Sequence, residues 1–440
     1  MDPGDVPAQV AQAPTRRYLH LLVALLLPAA LFNAYDGELR AVLLTQLKDS
    51  FHVGTAAIGV VNIPIGSGQF LAFFVVLLAD RIGRRPILMW SILGYTVCTT
   101  LTALSWNLAS FAAFQSGSQI FIGAEFGVAV TLLAEEVPAV ERGRFLSWLL
   151  LVSPLGAVVA GLLVAVGFLH NPIGWRAFFL VAALPLLVVA VARRRLRESH
   201  AFLRERAAHP SHAPSERSRA ARKAVAEAFT VWRGHDRRYV VAVGVVAFLQ
   251  GLAAAAAVGW WTYYAEHDRH FGTGVAGSFF AVAALVSVGG YVLCGRLMDR
   301  IGRKRTAVLY VVAAVVCAVV TFQVSDRWVM LPFLIGTSFF GIGVAPVLSA
   351  FATELFPTSV RAQASAWIRN GFGNTGSVLG PAIVGILGAS NGLLHNVGNA
   401  VSAIAILLLV IVPIVVLSLP ETRDRALDLP GQEPQEAKRP

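Results

Sequence analysis

Charge is scarce in this chain. Asp, Glu, Lys and Arg make up 14% of its residues, against about 25% in soluble domains. Hydrophobic residues account for 56%, and the mean hydropathy is +0.66. That balance excludes an ordinary soluble domain, because too little polar surface exists to face water. Cysteine is scarcer still. Cys98, Cys294 and Cys317 stand singly inside apolar runs, which excludes a disulfide framework or a cysteine metal centre and leaves small buried apolar residues. Phosphate-binding loops, nucleophile elbows and metal-ligand spacings are also missing. Neither an enzyme nor an ATP-driven pump is therefore indicated, and no cofactor or metal is expected.

What the chain has in abundance is long apolar runs. About 20 residues at 1.5 Å rise cross a hydrocarbon core of roughly 30 Å, and such runs recur along almost the whole length. They predict an all-α polytopic membrane protein with twelve transmembrane helices. The first six spans are read at roughly 18–47, 56–79, 86–104, 108–134, 145–168 and 175–192, and the second six at roughly 239–265, 275–297, 306–324, 328–352, 363–388 and 395–419. Arg16-Arg17 and the apolar run after them resemble a secretory or twin-arginine leader. Removing that segment would leave the first half one span short, so it is read as span one, bent near Pro28.

Basic residues decide orientation. Arg16-Arg17, Arg81 with Arg84-Arg85, Arg142 with Arg144, Arg300 with Arg303-Lys304-Arg305, and Arg423 with Arg425 all fall on one side of a twelve-span arrangement. That side is expected to be cytoplasmic, with both termini inside a plasma (bacterial inner) membrane. The net charge of +11 is thereby a matter of topology and of contact with membrane lipids, and no nucleic-acid partner is expected. The predicted organisation is a cytoplasmic tail over 1–17, a six-helix half over 18–193, an arginine-rich linker over 194–238, a second six-helix half over 239–419 and a tail over 420–440.

The two halves echo one another. The phrase around Asp80-Arg81-Ile82-Gly83-Arg84-Arg85 returns at Asp299-Arg300-Ile301-Gly302-Arg303-Lys304, an offset of 219 residues. Glu135, Pro138, Arg142 and Trp148 return at the same offset as Glu354, Pro357, Arg361 and Trp367. One shared offset for two phrases indicates duplication.

On these residues the chain resembles the major facilitator superfamily, from span one to Pro420. The loop signature Gly-x-x-x-Asp-Arg-x-Gly-Arg-Arg/Lys is complete from Gly295 to Lys304, while Val76 replaces the leading glycine in the first copy. Glu135-Glu136-Val137-Pro138 with Arg142, and Pro420-Glu421-Thr422-Arg423, resemble the sugar-porter and metabolite:proton symporter branches. The resemblance implies two pseudo-symmetric halves and a cytoplasmic gate built from Asp80, Arg84, Glu135 and Arg142, then Asp299, Arg303, Glu354 and Arg361. Exposed ion pairs contribute about 0–1 kcal/mol each, weak enough to be remade as a carrier changes state. Topology alone is the plainer reading of the same charges.

An ionisable residue within the bilayer costs about 2.5–3.5 kcal/mol on insertion scales, so each is a functional candidate. On span one, Asn33, Asp36, Gly37 and Arg40 share a helical face, Asp36 and Arg40 are spaced to neutralise one another, and Glu38 points elsewhere. The surrounding segment resembles the acidic span-one motif of organic-acid symporters, with Asn33 at one acidic position. Glu125 lies ten residues before Glu135 on span four, about 15 Å deeper. A carboxyl group deprived of water holds its proton more tightly, so either Asp36 or Glu125 suits proton coupling; the alternative is a buried polar contact between helices. Gln119 occupies the position where many relatives carry an arginine used by drug antiporters.

In the second half, Gln250 sits mid-span, and Trp260-Trp261-Thr262-Tyr263-Tyr264 lie near the outer end of span seven, with Trp261 and Tyr264 as candidates for the cavity. Glu266-His267-Asp268-Arg269-His270 reads as a solvated loop. On span eleven Arg369 stands with Asn370 and Asn374 among glycines, either attracting an anionic solute or joining the gate. The cavity set is thus Asn33, Arg40, Gln119, Gln250, Trp261, Tyr264, Asn370 and Asn374. These residues point to a monomeric secondary transporter that moves a small organic acid or polar metabolite by alternating access, driven by a proton gradient as a symporter. The rivals are a drug:proton antiporter, a facilitative sugar uniporter, and a membrane receptor that has kept the fold.

Overall fold

The computed structural model describes residues 16–196, 198–199, 203, 229–232 and 237–422. Most of the predicted linker, both tails, and the side chains of Asp80 and Arg142 lie outside the described residues. Helices fall, in chain order, at each of the twelve predicted spans. Span one is α1 (Arg16–Val42) followed at once by α2 (Leu44–Phe51), and span two is α3 (Thr55–Val60) with α4 (Asn62–Ile82). Then come α5 (Arg84–Ala103), α6 (Leu108–Glu136), α7 (Ala139–Ala165) and α8 (Arg176–Ala192). The second series is α9 (Arg237–Tyr263), α10 (Thr273–Ile301), α11 (Arg303–Gln323), α12 (Arg327–Gly343) with α13 (Ala345–Glu354), α14 (Thr358–Ala366) with α15 (Asn374–Leu387), and α16 (Val397–Ser418). Among the described residues, nine helices are long and apolar enough to cross a membrane.

Two π-helical turns interrupt the second series, at Tyr264–Asp268 and at Trp367–Gly373. Such turns are rare and gather at functional sites. Between α4 and α5, and again between α10 and α11, the chain reverses through Gly83 (φ 119°) and Gly302 (φ 90°). Both angles suit only glycine, which explains why the signature carries one there.

Packing divides the chain into two compact units. The first combines 1–221 with 256–285 and 381–400, and the second holds 222–255, 286–380 and 401–440. In the first unit the core gathers Leu22, Leu26, Leu88, Val128, Leu132 and Leu133 from α1, α5 and α6. Small residues let backbones meet, as is usual for membrane helices. A Cβ on Gly156 would lie 2.7 Å from the Ala34 methyl, and one on Gly59 would lie 2.9 Å from Gly385 Cα and 3.2 Å from the Trp260 ring. In the second unit Gly376 and Gly380 rest on the Phe248 and Leu252 carbonyls, so that α15 lies along α9. Outward-facing Phe74, Trp90, Leu184, Val410 and Ile414 are exposed, as residues in contact with lipid are.

Gly156→Leu therefore overpacks the α1–α7 crossing and is expected to destabilise the purified protein by about 1–3 kcal/mol. Gly37→Ala is expected to be neutral, because nothing lies within 4 Å of its added Cβ. Thermal unfolding in detergent checks both.

Candidate functional site

The repeated phrases meet their partners in the same way in both copies. Arg84 at the start of α5 reaches Glu135 near the end of α6, Nη2 to Oε1 at 2.9 Å. Arg303 at the start of α11 reaches Glu354 at the end of α13 through Nε at 3.1 Å and Nη2 at 2.9 Å. Each guanidinium also donates to the carbonyl five residues earlier, Ala79 and Met298 respectively, both at 3.4 Å. A further carboxylate completes each network. Glu198 accepts from the backbone N–H of Arg84 at 2.8 Å, and Glu421 from that of Arg303 at 2.9 Å. Both sit where a helix N-terminus favours negative charge. Ser199 Oγ donates to Glu135.

Glu198 was missed from the sequence, although Leu196-x-Glu198-Ser199 matches Leu419-x-Glu421-Thr422. Arg361 departs from the expected network. Its Nε donates to the Phe356 carbonyl at 3.3 Å, and it makes no ion pair among the described residues. Asp299 is exposed and has no hydrogen-bond or ion-pair partner among them.

Deeper in the first unit, Asp36 is fully buried and accepts from Ser118 Oγ at 3.3 Å. Ser118 Oγ also lies 3.5 Å from Thr99 Oγ1. Nearby on α6, Gln115 donates to Thr102 at 3.4 Å and Gln119 accepts from Gln69 at 2.9 Å. Asn33 is buried as well. Arg40 and Asp36 act on one another electrostatically, as their spacing suggests, but make no ion pair within 4 Å among the described residues; Arg40 Nη1 donates instead to Asn62 Oδ1 at 3.4 Å.

Glu125 is occupied. Arg193, the first residue beyond α8, places Nη2 2.6 Å from Glu125 Oε1, with both side chains buried. The same guanidinium donates to the Leu25 carbonyl at 3.2 and 3.1 Å. Sequence reasoning missed Arg193 because it opens the run Arg193-Arg194-Arg195, where topology accounts for a basic residue. The signal was the unmatched Glu125 in the same half.

In the second half, the aromatic candidates pack instead of lining a cavity. Trp261 is fully buried, donates to the Ala276 carbonyl at 3.2 Å and stacks on Phe279. Tyr264 is buried, and its hydroxyl accepts from Arg269 Nε at 2.7 Å. Nor is the following cluster a free loop. Glu266 is half-buried and accepts from Gln46 at 3.2 Å, Asp268 accepts from Asn396 at 3.3 Å, and Thr262 donates to the Ala41 carbonyl. Loop residues here are recruited by α2 and by the start of α16.

Gln250, lining a small apolar cleft with Val246, Val311 and Phe351, donates to the Gly341 carbonyl at 2.5 Å. On the π-turn of span eleven Arg369 and Asn370 are exposed, and Asn374 just beyond it is half-buried. None of these three side chains has a hydrogen-bond or ion-pair partner among the described residues. In chemical terms, the second unit offers a cation with two amides that are unpaired among the described residues, and the first unit, taken by itself, a secluded carboxyl. The former can bind an anion, and the latter can hold a proton.

The profile of the Major Facilitator Superfamily matches residues 26–373 and 243–439. The niacin transporter NiaP of Acinetobacter baylyi is 26% identical, over 97% of this chain and 100% of that protein. A probable 4-methylmuconolactone transporter of Cupriavidus pinatubonensis is 27% identical, over 91% of this chain and 90% of its own length. Among solved structures, the xylose transporter XylE of E. coli in an inward-open conformation is similar in fold, with a TM-score of 0.71 at 15% identity over 92% of this chain and 98% of that one. With a profile match across both copies of the repeat, the chain belongs to the Major Facilitator Superfamily, as a multi-pass membrane transporter and not an enzyme.

Proposed function

We propose that this transporter is a proton-coupled symporter of a small organic anion in the bacterial inner membrane, working as a monomer with both termini in the cytoplasm. The observation that carries the reading is the trio Arg369, Asn370 and Asn374 on one span, with no hydrogen-bond or ion-pair partner among the described residues. Arginine facing hydrocarbon costs about 2.5–3.5 kcal/mol or more, so a guanidinium without a counter-ion belongs in a water-filled pathway, where a carboxylate supplies the missing charge. The two amides add hydrogen bonds that fix the solute's orientation. Niacin, for which one full-length relative is named, is a small aromatic carboxylic acid and fits this chemistry.

Coupling is assigned to Asp36. Its carboxyl is buried with no ion pair within 4 Å among the described residues; Arg40 acts on it from farther away and is held by Asn62, so Asp36 can take up a proton without leaving that guanidinium unpartnered. Glu125 is a structural partner, since protonating it would leave Arg193 buried and uncompensated. The paired networks at Arg84–Glu135 and Arg303–Glu354 act as the inner gate, strong enough to hold helix ends together and weak enough to be remade.

Two outcomes are expected in proteoliposomes. Arg369→Gln raises the KM for nicotinate about tenfold or more, equivalent to roughly 1.4 kcal/mol; an unchanged KM sinks the anion reading. Asp36→Asn abolishes accumulation driven by an imposed pH gradient while preserving solute counterflow. Glu125→Gln is expected instead to lower stability by about 3–5 kcal/mol through the stranded Arg193, read as a fall in melting temperature. A proton-independent Glu125→Gln carrier with a wild-type melting temperature would reverse the two assignments.

A further inference from the structure

The end of the linker is packed against the turn that presents Arg369. Thr230–Trp232 forms one 3-10 turn in which Val231 is buried. Trp232 meets Trp367 edge-on, with ring centroids 5.4 Å apart, and Phe372 at 6.3 Å. Those two residues stand near opposite ends of the π-turn Trp367–Gly373. Phe229 adds a second ring against Trp367 at 5.3 Å, and Thr230 Oγ1 is 2.6 Å from Gln363 Oε1, just before the turn.

We infer that Phe229–Trp232 is a clamp that positions Arg369 for the solute by holding both ends of this turn; the inference rests on the anion reading above. A π-turn is seldom maintained without outside support. Here Gly371 and Gly373 lower its intrinsic stability further. Among the described residues the side chains of Arg369 and Asn370 have no hydrogen-bond or ion-pair partner that would aim them, so the backbone beneath them sets their direction. That backbone is held through Trp367 and Phe372. Trp232 is thus a positioning residue for recognition, and the second end of the linker takes part in solute affinity besides tethering the halves.

The test uses full-length Trp232→Ala and Trp232→Phe, with Thr230→Val as a milder variant in case the alanine form does not fold. Hydrogen exchange over Trp367–Gly373 needs no ligand. It is expected to quicken about tenfold in Trp232→Ala, to rise less in Thr230→Val, and to stay near wild-type in Trp232→Phe. Nicotinate KM is expected to rise about tenfold in Trp232→Ala with kcat within about twofold, and to be restored by phenylalanine. Unchanged exchange in both Trp232→Ala and Thr230→Val overturns the clamp whatever uptake does. Faster exchange with an unchanged KM overturns its role in recognition. If Arg369→Gln itself leaves the KM unchanged, the anion reading is what has failed, and exchange alone then decides whether the clamp exists.

Discussion

A charge taken out of water must find a partner, and in a membrane that requirement is stricter than anywhere else. With only 14% of its residues charged, this protein assigns nearly every deep ionisable group a specific companion. Arg193 is matched to Glu125, Arg84 to Glu135, Arg303 to Glu354, and Asp36 to a serine hydroxyl. Against that background Arg369, without an ion-pair partner among the described residues, is what motivates the proposal of an anionic solute.

The same rule separates the two buried carboxyls. Glu125 and Asp36 look equivalent as acidic residues in apolar helices, yet one is bound within a close ion pair, while the other, among the described residues, has hydrogen-bond partners and only a more distant arginine. A buried pair resists the loss of either member far more than a solitary carboxyl resists a proton. The proposed division of structural and coupling roles follows that line, with Ser118 as a hydrogen-bond donor to Asp36.

Much of this was legible in the sequence. The helices at the predicted spans, nine of them among the described residues long and apolar enough to cross a membrane, the duplication and the pairing of the repeated Arg and Glu residues follow from apolar run length, a shared offset and family likeness, all local or periodic signals. The Arg193–Glu125 pair was not legible, because its members lie 68 positions apart and the arginine hides in a basic run that topology already explains. Trp261 and Tyr264 were placed on the cavity because aromatic residues at a span end serve either role. Only the packing against Ala276, Phe279 and Arg269 shows which applies. Arg40 keeps its electrostatic interaction with Asp36 but hydrogen-bonds Asn62, because helical spacing fixes neighbours within a helix and says nothing of competition from the next one.

The carboxylates that seat on the starts of α5 and α11 come from the far end of each copy, Glu198 and Glu421. Synthesis runs from the N-terminus, so the first of these closures is available before the second copy has been made. The other must wait until α16 has been made. The nascent carrier thus passes through a long interval with one latch set and its twin still missing a part. A stop codon just ahead of Glu421 would leave that latch permanently incomplete.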